Sequence, residues 1–253
     1  MTCERAEVVS ERLSMGAHLY NLFGVLWILF FISGLCKVIF AGAFARYYWT
    51  WNKRKDIPQC LILSSCYTAI RYHMGSVALG SFLLATVNLI RAIIEYIDHK
   101  CRQYPNNELV RVITCLFRGC LWCLDKFLRF LNTNAYIMIA IYGKGFFSSA
   151  KDAFSLLLDN IVRVVVIDQV ADYLLFMGKL AVTSIVGVTT FFICTGKIFP
   201  QYFEHLVPHT TYIWVPILAI CLGTYLIACT FFSVYDMAVD TIFLCFCEFE
   251  QRF

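Results

Sequence analysis

Four apolar runs of bilayer length decide what this chain can become. They cover about residues 20–45, 75–94, 173–194 and 212–232. Each is near the roughly 20 residues that carry a helix across a hydrocarbon core of about 30 Å. Inside lipid every backbone N–H and C=O must bond within the chain, and a helix satisfies them segment by segment. Hydrophobic residues make up 60% of the 253 and charged ones 15%, against about 25% charged in soluble domains. The expectation is an all-α, polytopic transmembrane bundle, four spans with interfacial or cavity-lining amphipathic helices over about 109–160, forming one membrane region over 1–253. Residues 1–18 carry Glu4, Arg5, Glu7, Glu11 and Arg12 before an apolar run longer than a leader's core, so no cleaved signal is read there.

Within the runs, small residues recur at helical spacing. Ser76 with Gly80, Ala219 with Gly223, and Gly178, Ala181, Ser184 and Gly187 are faces on which another helix can sit close. Tyr47, Tyr48, Trp49 and Trp51 form an aromatic belt, and Pro58 interrupts any helix after them. The connection 95–172 holds nine Lys and Arg, whereas the loop 195–210 holds only Lys197. Four spans then place both termini in the cytoplasm. Residues 46–72, with five basic residues and one acid, stand against that orientation unless they fold back or the first spans divide differently.

The stretch 127–160 is too polar for a lipid-facing span and too apolar for a solvated loop. Ahead of it, Arg111, Arg118, Asp125 and Arg129 fall near one helical face, with leucines and Phe127 filling much of the rest, as in an interfacial helix. The 13 cysteines lie at irregular spacing in apolar segments and suggest no disulfide framework. Cys120-Leu-Trp-Cys123 lacks the second pair of a zinc site. It reads as packing, or with Cys115 as a palmitoylation site on a basic helix. His18, His73, His99, His205 and His209 are dispersed, and neither a nucleophile–base arrangement nor a phosphate-binding glycine loop is present. An enzyme, a metal, a cofactor or a nucleic-acid partner is therefore not expected.

Asn132-Thr-Asn134-Ala-Tyr136, Ile139-Ala-Ile-Tyr-Gly-Lys144 and Ser148-Ser-Ala-Lys-Asp-Ala-Phe154, in that order and spacing, resemble the signature of the choline transporter-like family of solute carriers. Ala45-Arg-Tyr-Tyr-Trp49, Arg71-Tyr-His-Met-Gly-Ser76 and Phe232-Ser-Val-Tyr235 are similar to further family blocks, and together the resemblance covers nearly all of 20–246. It implies a multi-span secondary carrier of choline, ethanolamine or a similar organic cation, in the plasma membrane or an organelle membrane, working by alternating access. Family members resemble a chain more than twice as long, with an earlier span, a glycosylated extracellular domain and further spans before this region. The expectation is a C-terminal portion that transports with, or modulates, full-length relatives or a missing N-terminal half.

With a quaternary ammonium in view, aromatic faces become candidates for holding it. Tyr136 and Tyr142, set among polar residues, lead Trp27 and Tyr72, for which interfacial anchoring is the plainer reading. Lys37, Lys179, Asp236 and Asp240 are ionisable at or near membrane depth. The lysines read equally as functional groups or as snorkelling or structurally paired side chains, and the two aspartates as an interfacial cap or salt bridge before a cation relay. Lys144 and Asp152, with Lys151, read as structural hydrogen-bonding groups that fix 132–154.

Overall fold

The computed structural model describes residues 2–101, 108–195 and 214–252, and every described element is helical. In chain order these are α1 (Thr2–Trp49), α2 (Lys53–Asp56), α3 (Leu61–Thr68), a π-helical turn (Ala69–His73), α4 (Met74–Cys101), α5 (Glu108–Tyr142), α6 (Phe146–Asp159), α7 (Ile161–Cys194) and α8 (Trp214–Arg252). Beyond Thr195, the loop read over 195–210, with Lys197, Pro200, His205, Pro208 and His209, lies outside the described residues.

Four helical stretches are long and apolar enough to cross a membrane: Gly16–Trp49, Leu61–Lys100, Ile161–Cys194 and Trp214–Gln251. At 1.5 Å per residue such helices are roughly 50–60 Å long, well beyond a hydrocarbon core. The sequence runs are shorter because hydropathy marks only the part that lipid demands. The helices continue into polar sequence wherever no proline or left-handed residue stops them. The second stretch starts well before residue 75. Arg71 and His73 look like a boundary by composition, yet the helix passes through them as the π-helical turn. Arg46 of α1 ties the entry of this stretch, donating to Ser64 Oγ and Thr68 Oγ1 at 2.8 Å each.

The described residues form two compact units, one reaching to Asp159 and including α8 from Leu244 onward, the other running from Asn160 to Phe243. In the first, α5 packs against α1 and α4, and α6 folds back on α5. Ala135, Tyr136, Ile137, Met138 and Ile139 are buried in succession. Burial on every side of a helix makes it an interior one. Val38 of α1, Ala69 of the π-helical turn, Val77 of α4, and Phe146 and Ala150 of α6 complete this core.

Tyr136 is its wedge, 2% exposed. Its ring lies against Gly34 of α1 and Gly80 of α4. A Cβ at Gly34 would come 3.1 Å from the ring, and one at Gly80 2.5 Å from the hydroxyl and 2.7 Å from Phe146. The Ser76–Gly80 face, expected to receive a helix, thus receives α5 of the same chain. Gly223, by contrast, meets nothing within 4 Å.

The N-terminal half of α5 turns its charges inward. Arg118 pairs with the buried Asp98 of α4. Asp125 accepts from Asn88 Nδ2 at 2.9 Å and from Arg129 Nε at 2.9 Å. One turn on, Asn132 Nδ2 donates to the Gly80 carbonyl at 2.8 Å, and the Tyr136 hydroxyl approaches the Val77 carbonyl at 3.5 Å. This ladder runs down α4 as it runs up α5, so the two helices are antiparallel. The charged face expected to meet water meets α4 instead, and Leu116, Phe117, Trp122 and Phe127 are exposed on α5. Burying a charge is costly unless it is paired, and lipid is no alternative to α4 for Asp125.

In the second unit, small residues admit large neighbours. A Cβ at Gly178 would come 2.6 Å from the Phe232 ring, and one at Gly187 2.9 Å from Cys221 Sγ. Thr183, Thr189 and Thr190 donate their hydroxyls to carbonyls four residues back at 2.8 Å, which hides these groups from lipid. Gly80→Ala is expected to destabilise the chain by about 1–3 kcal/mol, the usual cost of overpacking a filled core. Thermal unfolding in detergent measures it, and Tyr136→Phe, which removes the crowded hydroxyl, should recover part of the loss.

Candidate functional site at the break between α5 and α6

The site forms where α5 has to stop. Gly143 takes φ +68°, a left-handed conformation that costs glycine little. Its N–H closes the last turn on the Ile139 carbonyl at 2.8 Å. After two more residues α6 begins at Phe146. The interruption opens toward the π-helical turn, since a Cβ at Gly143 would lie 3.6 Å from His73 Cε1. Single-turn π segments inside helices often accompany functional sites. Here one faces a helix break across the same core.

Charge gathers around the break. The Tyr142 hydroxyl donates to Glu248 Oε1. Lys144 Nζ lies 5.2 Å from the Tyr142 ring centroid and donates to Asp152 Oδ2 at 2.6 Å. The Tyr142 ring, the Lys144–Asp152 pair and Glu248 are therefore grouped at the break. Lys144 is in effect a tethered ammonium already over the ring. Glu248 arrives from the last turns of α8, whose Phe249 also packs on Trp49 at 6.4 Å and whose Gln251 donates to Asp159 at 3.0 Å. These turns close the first unit by touching the ends of α1, α5 and α6.

Of the aromatics singled out from the sequence, only Tyr142 sits in this cluster. Tyr136 lies in the closed core described above, between Gly34, Gly80 and Phe146. Trp27 is on α1, its Nε1 donating to the Ala78 carbonyl at 3.2 Å and its ring set edge-on to Phe82 at 5.7 Å. Tyr72 is 70% exposed with Arg71 5.9 Å from its ring centroid. Lys37 is half-buried and donates to Thr133 Oγ1 at 2.7 Å, which makes it part of the α1–α5 packing. Lys144 and Asp152 are paired with each other.

Lys179 is half-buried on α7, while Asp236 is exposed and Asp240 half-buried one turn apart on α8. All three lie in the second unit. No group of three metal-ligating side chains occurs among the described residues. Glu248 gives no signal in the sequence, and His73 only the resemblance of the block 71–76 to the family. Glu248 belongs to a tail that looks unremarkable until it folds back, and His73 looks like a boundary residue until the helix runs through it.

Removing one partner of a charge-assisted hydrogen bond costs about 1.5–3 kcal/mol when buried, and less at a half-exposed site. A double-mutant cycle of Tyr142→Phe and Glu248→Gln, read by thermal unfolding, should give a coupling of about 1 kcal/mol. A coupling near zero would mean that α8 is held at the break by other contacts.

Comparison with known proteins identifies the family. A family described as plasma-membrane choline transporter matches residues 2–251. Choline transporter-like protein 5 of Xenopus tropicalis is 53% identical over 234 residues, 92% of this chain and 32% of the relative. Choline transporter-like protein 2 of Salmo salar is 48% identical over 246 residues, 97% of this chain and 34% of its own length. Choline transporter-like protein 4 of Homo sapiens is 49% identical over 242 residues, 96% and 34% respectively. The chain thus spans about a third of the length of the curated relatives it matches. It belongs to the choline transporter-like family of multi-pass membrane proteins.

Proposed function

We propose that this chain contributes the substrate-handling end of a secondary carrier for choline or a related organic cation such as ethanolamine, with no catalytic chemistry of its own. One observation carries the reading. A helix break at Gly143 holds an aromatic ring, two carboxylates and a tethered ammonium together, next to a π-helical turn. Carriers commonly build their sites from interrupted helices, and a quaternary ammonium is held by an aromatic face and nearby negative charge. In this reading Tyr142 offers the ring, Glu248 and Asp152 supply the field, and Lys144 is displaced as the substrate arrives. Tyr136 sets the distance between α1, α4 and α5. Trp27 and Tyr72 act as interfacial anchors.

The proposed setting is the plasma membrane, with the start of α1 and the end of α4, which lie at one end of the antiparallel α1–α4 pair, on the cytoplasmic side. A second reading has support from the second unit. Large apolar side chains along α7 and α8 are exposed, and Gly223 faces open space. Faces of that kind suit packing against full-length relatives, in which case the chain modulates transport by others.

Radiolabelled choline uptake by this chain, in cells lacking their own carriers, tests both. Saturable uptake is expected, with apparent affinity weakened roughly five- to thirtyfold by Tyr142→Ala, the equivalent of about 1–2 kcal/mol of cation–π attraction. Tyr136→Ala should instead lower the amount of folded protein and leave the affinity of what remains unchanged. No uptake by chain shown to be in the membrane would remove the autonomous-carrier reading, and co-purification with a full-length relative would then favour the modulator.

A further inference from the structure

We propose that the outward face of α5 is an S-acylation site, with Cys123 and Cys120 as principal acceptors and Cys115 as a third. The inference starts from which way α5 is turned. Thr114, Leu121, Asp125 and Asn132 are buried, so the side facing the core is fixed. Cys115, Cys120 and Cys123 are exposed thiols, and Cys123 falls close to the middle of the opposite side. Cys120 and Cys123 are i,i+3 neighbours and present their sulfurs side by side. Around them Leu116, Trp122, Phe127 and Phe130 are exposed as well. Three accessible thiols in nine residues of one largely apolar helical face are a cluster, and Arg118, Asp125 and Arg129 are engaged on the other side, with Lys126 as the charge beside them.

Depth along the membrane decides whether such thiols can react. The pairing of α5 with α4 supplies it. Arg118 meets Asp98, and Asp125 lies near Arg91 at 4.0 Å, so 115–123 lies alongside the end of α4. That end carries Arg91, Glu95, Asp98, His99 and Lys100, which the hydrocarbon interior excludes and the headgroup region accepts. Lys100 stands over the Tyr96 ring at 5.4 Å, and Lys126 over the Trp122 ring at 4.1 Å. Aromatic rings capped by lysine are characteristic of the membrane–water boundary. The three sulfurs therefore sit where a thiol meets aqueous acyl donors and a newly attached chain can lie at once in lipid.

The chemistry is thioester exchange with a long-chain acyl-coenzyme A, delivered by a membrane acyltransferase. The cysteine sulfur bonds to the acyl carbonyl carbon, and the bond from that carbon to the coenzyme A sulfur breaks. Coenzyme A leaves as the thiol with the proton the cysteine gave up, and nothing is oxidised or reduced. Each chain attached adds apolar area that binds the face to the bilayer and would pin α5 and the seam behind it. The inference rests on the proposed orientation, in which the end of α4 and the start of α5 face the cytoplasm where acyl-coenzyme A is made.

The test is acyl exchange on the 253-residue chain expressed in mammalian cells: free thiols blocked, thioesters cleaved with hydroxylamine, and released thiols tagged by mass. A hydroxylamine-dependent shift is expected, reduced by Cys123→Ser, abolished by the combined Cys115→Ser, Cys120→Ser and Cys123→Ser variant, and unchanged by Cys60→Ser. A shift that survives the triple variant, or no shift at all, overturns the proposal. If there is none, labelling Cys123 with an impermeant maleimide shows which premise failed. Labelling in intact cells means that the orientation is wrong, and labelling only after permeabilisation means that the face is cytoplasmic but not an acceptor.

Discussion

Charge inside an apolar bundle has to be paired, and the pairing of α5 with α4 is the constraint from which the first unit follows. Asp98 and Asp125 are buried, and each has arginine beside it. An acid left alone there would cost several kcal/mol. Matching Arg118 to Asp98, Asp125 to Asn88, and Asn132 to the Gly80 carbonyl fixes the register of the two helices along several turns. A slip by one residue would strand every one of these groups. With the polar face committed to α4, the apolar remainder of α5 is left for lipid.

From that register the rest of the site is placed. Asn132 and Tyr136 follow on the same face, and Tyr136 then enters the space left by Gly34 and Gly80. The helix runs on to Tyr142 and ends where glycine allows a left-handed turn. Because α5 is anchored below by ion pairs and in the middle by a wedge, its end is held in a defined position. The ring of Tyr142, the Lys144–Asp152 pair and Glu248 are thereby brought to one place. The seam fixes the platform, and Gly143 interrupts the helix beside it.

Much of this is legible in the amino-acid sequence. Apolar runs of bilayer length require helices, and the three signature blocks between Asn132 and Phe154 point to the family. The helix ends are less legible, since composition reports where lipid is needed and not where a helix stops: residues 61–74 read as boundary sequence yet are helical. The direction of α5 is also hidden. Arg118, Asp125 and Arg129 on one face look like a wet face when nothing shows that Asp98 and Asn88 stand opposite. Glu248 carries no sequence signal because its hydrogen bond joins it to Tyr142, more than a hundred residues away. The polar neighbours of Tyr136 make it look like a binding residue, and in the structure Asn132 bonds to the Gly80 carbonyl of α4, Asn134 to the Phe130 carbonyl of its own helix, and Thr133 to Lys37 of α1.

The most direct test of the account is a charge swap across the seam, using Asp98→Arg, Arg118→Asp and the double variant in the membrane-inserted chain. Each single change places two like charges together next to a buried position, and should cost about 1–3 kcal/mol in thermal unfolding and lower the folded yield. The double variant should recover most of that loss, because the pair is restored in reverse. Single variants as stable as the parent, or a double variant no better than the sum of the two, would contradict a seam held by this pairing, and with it the placement of α5.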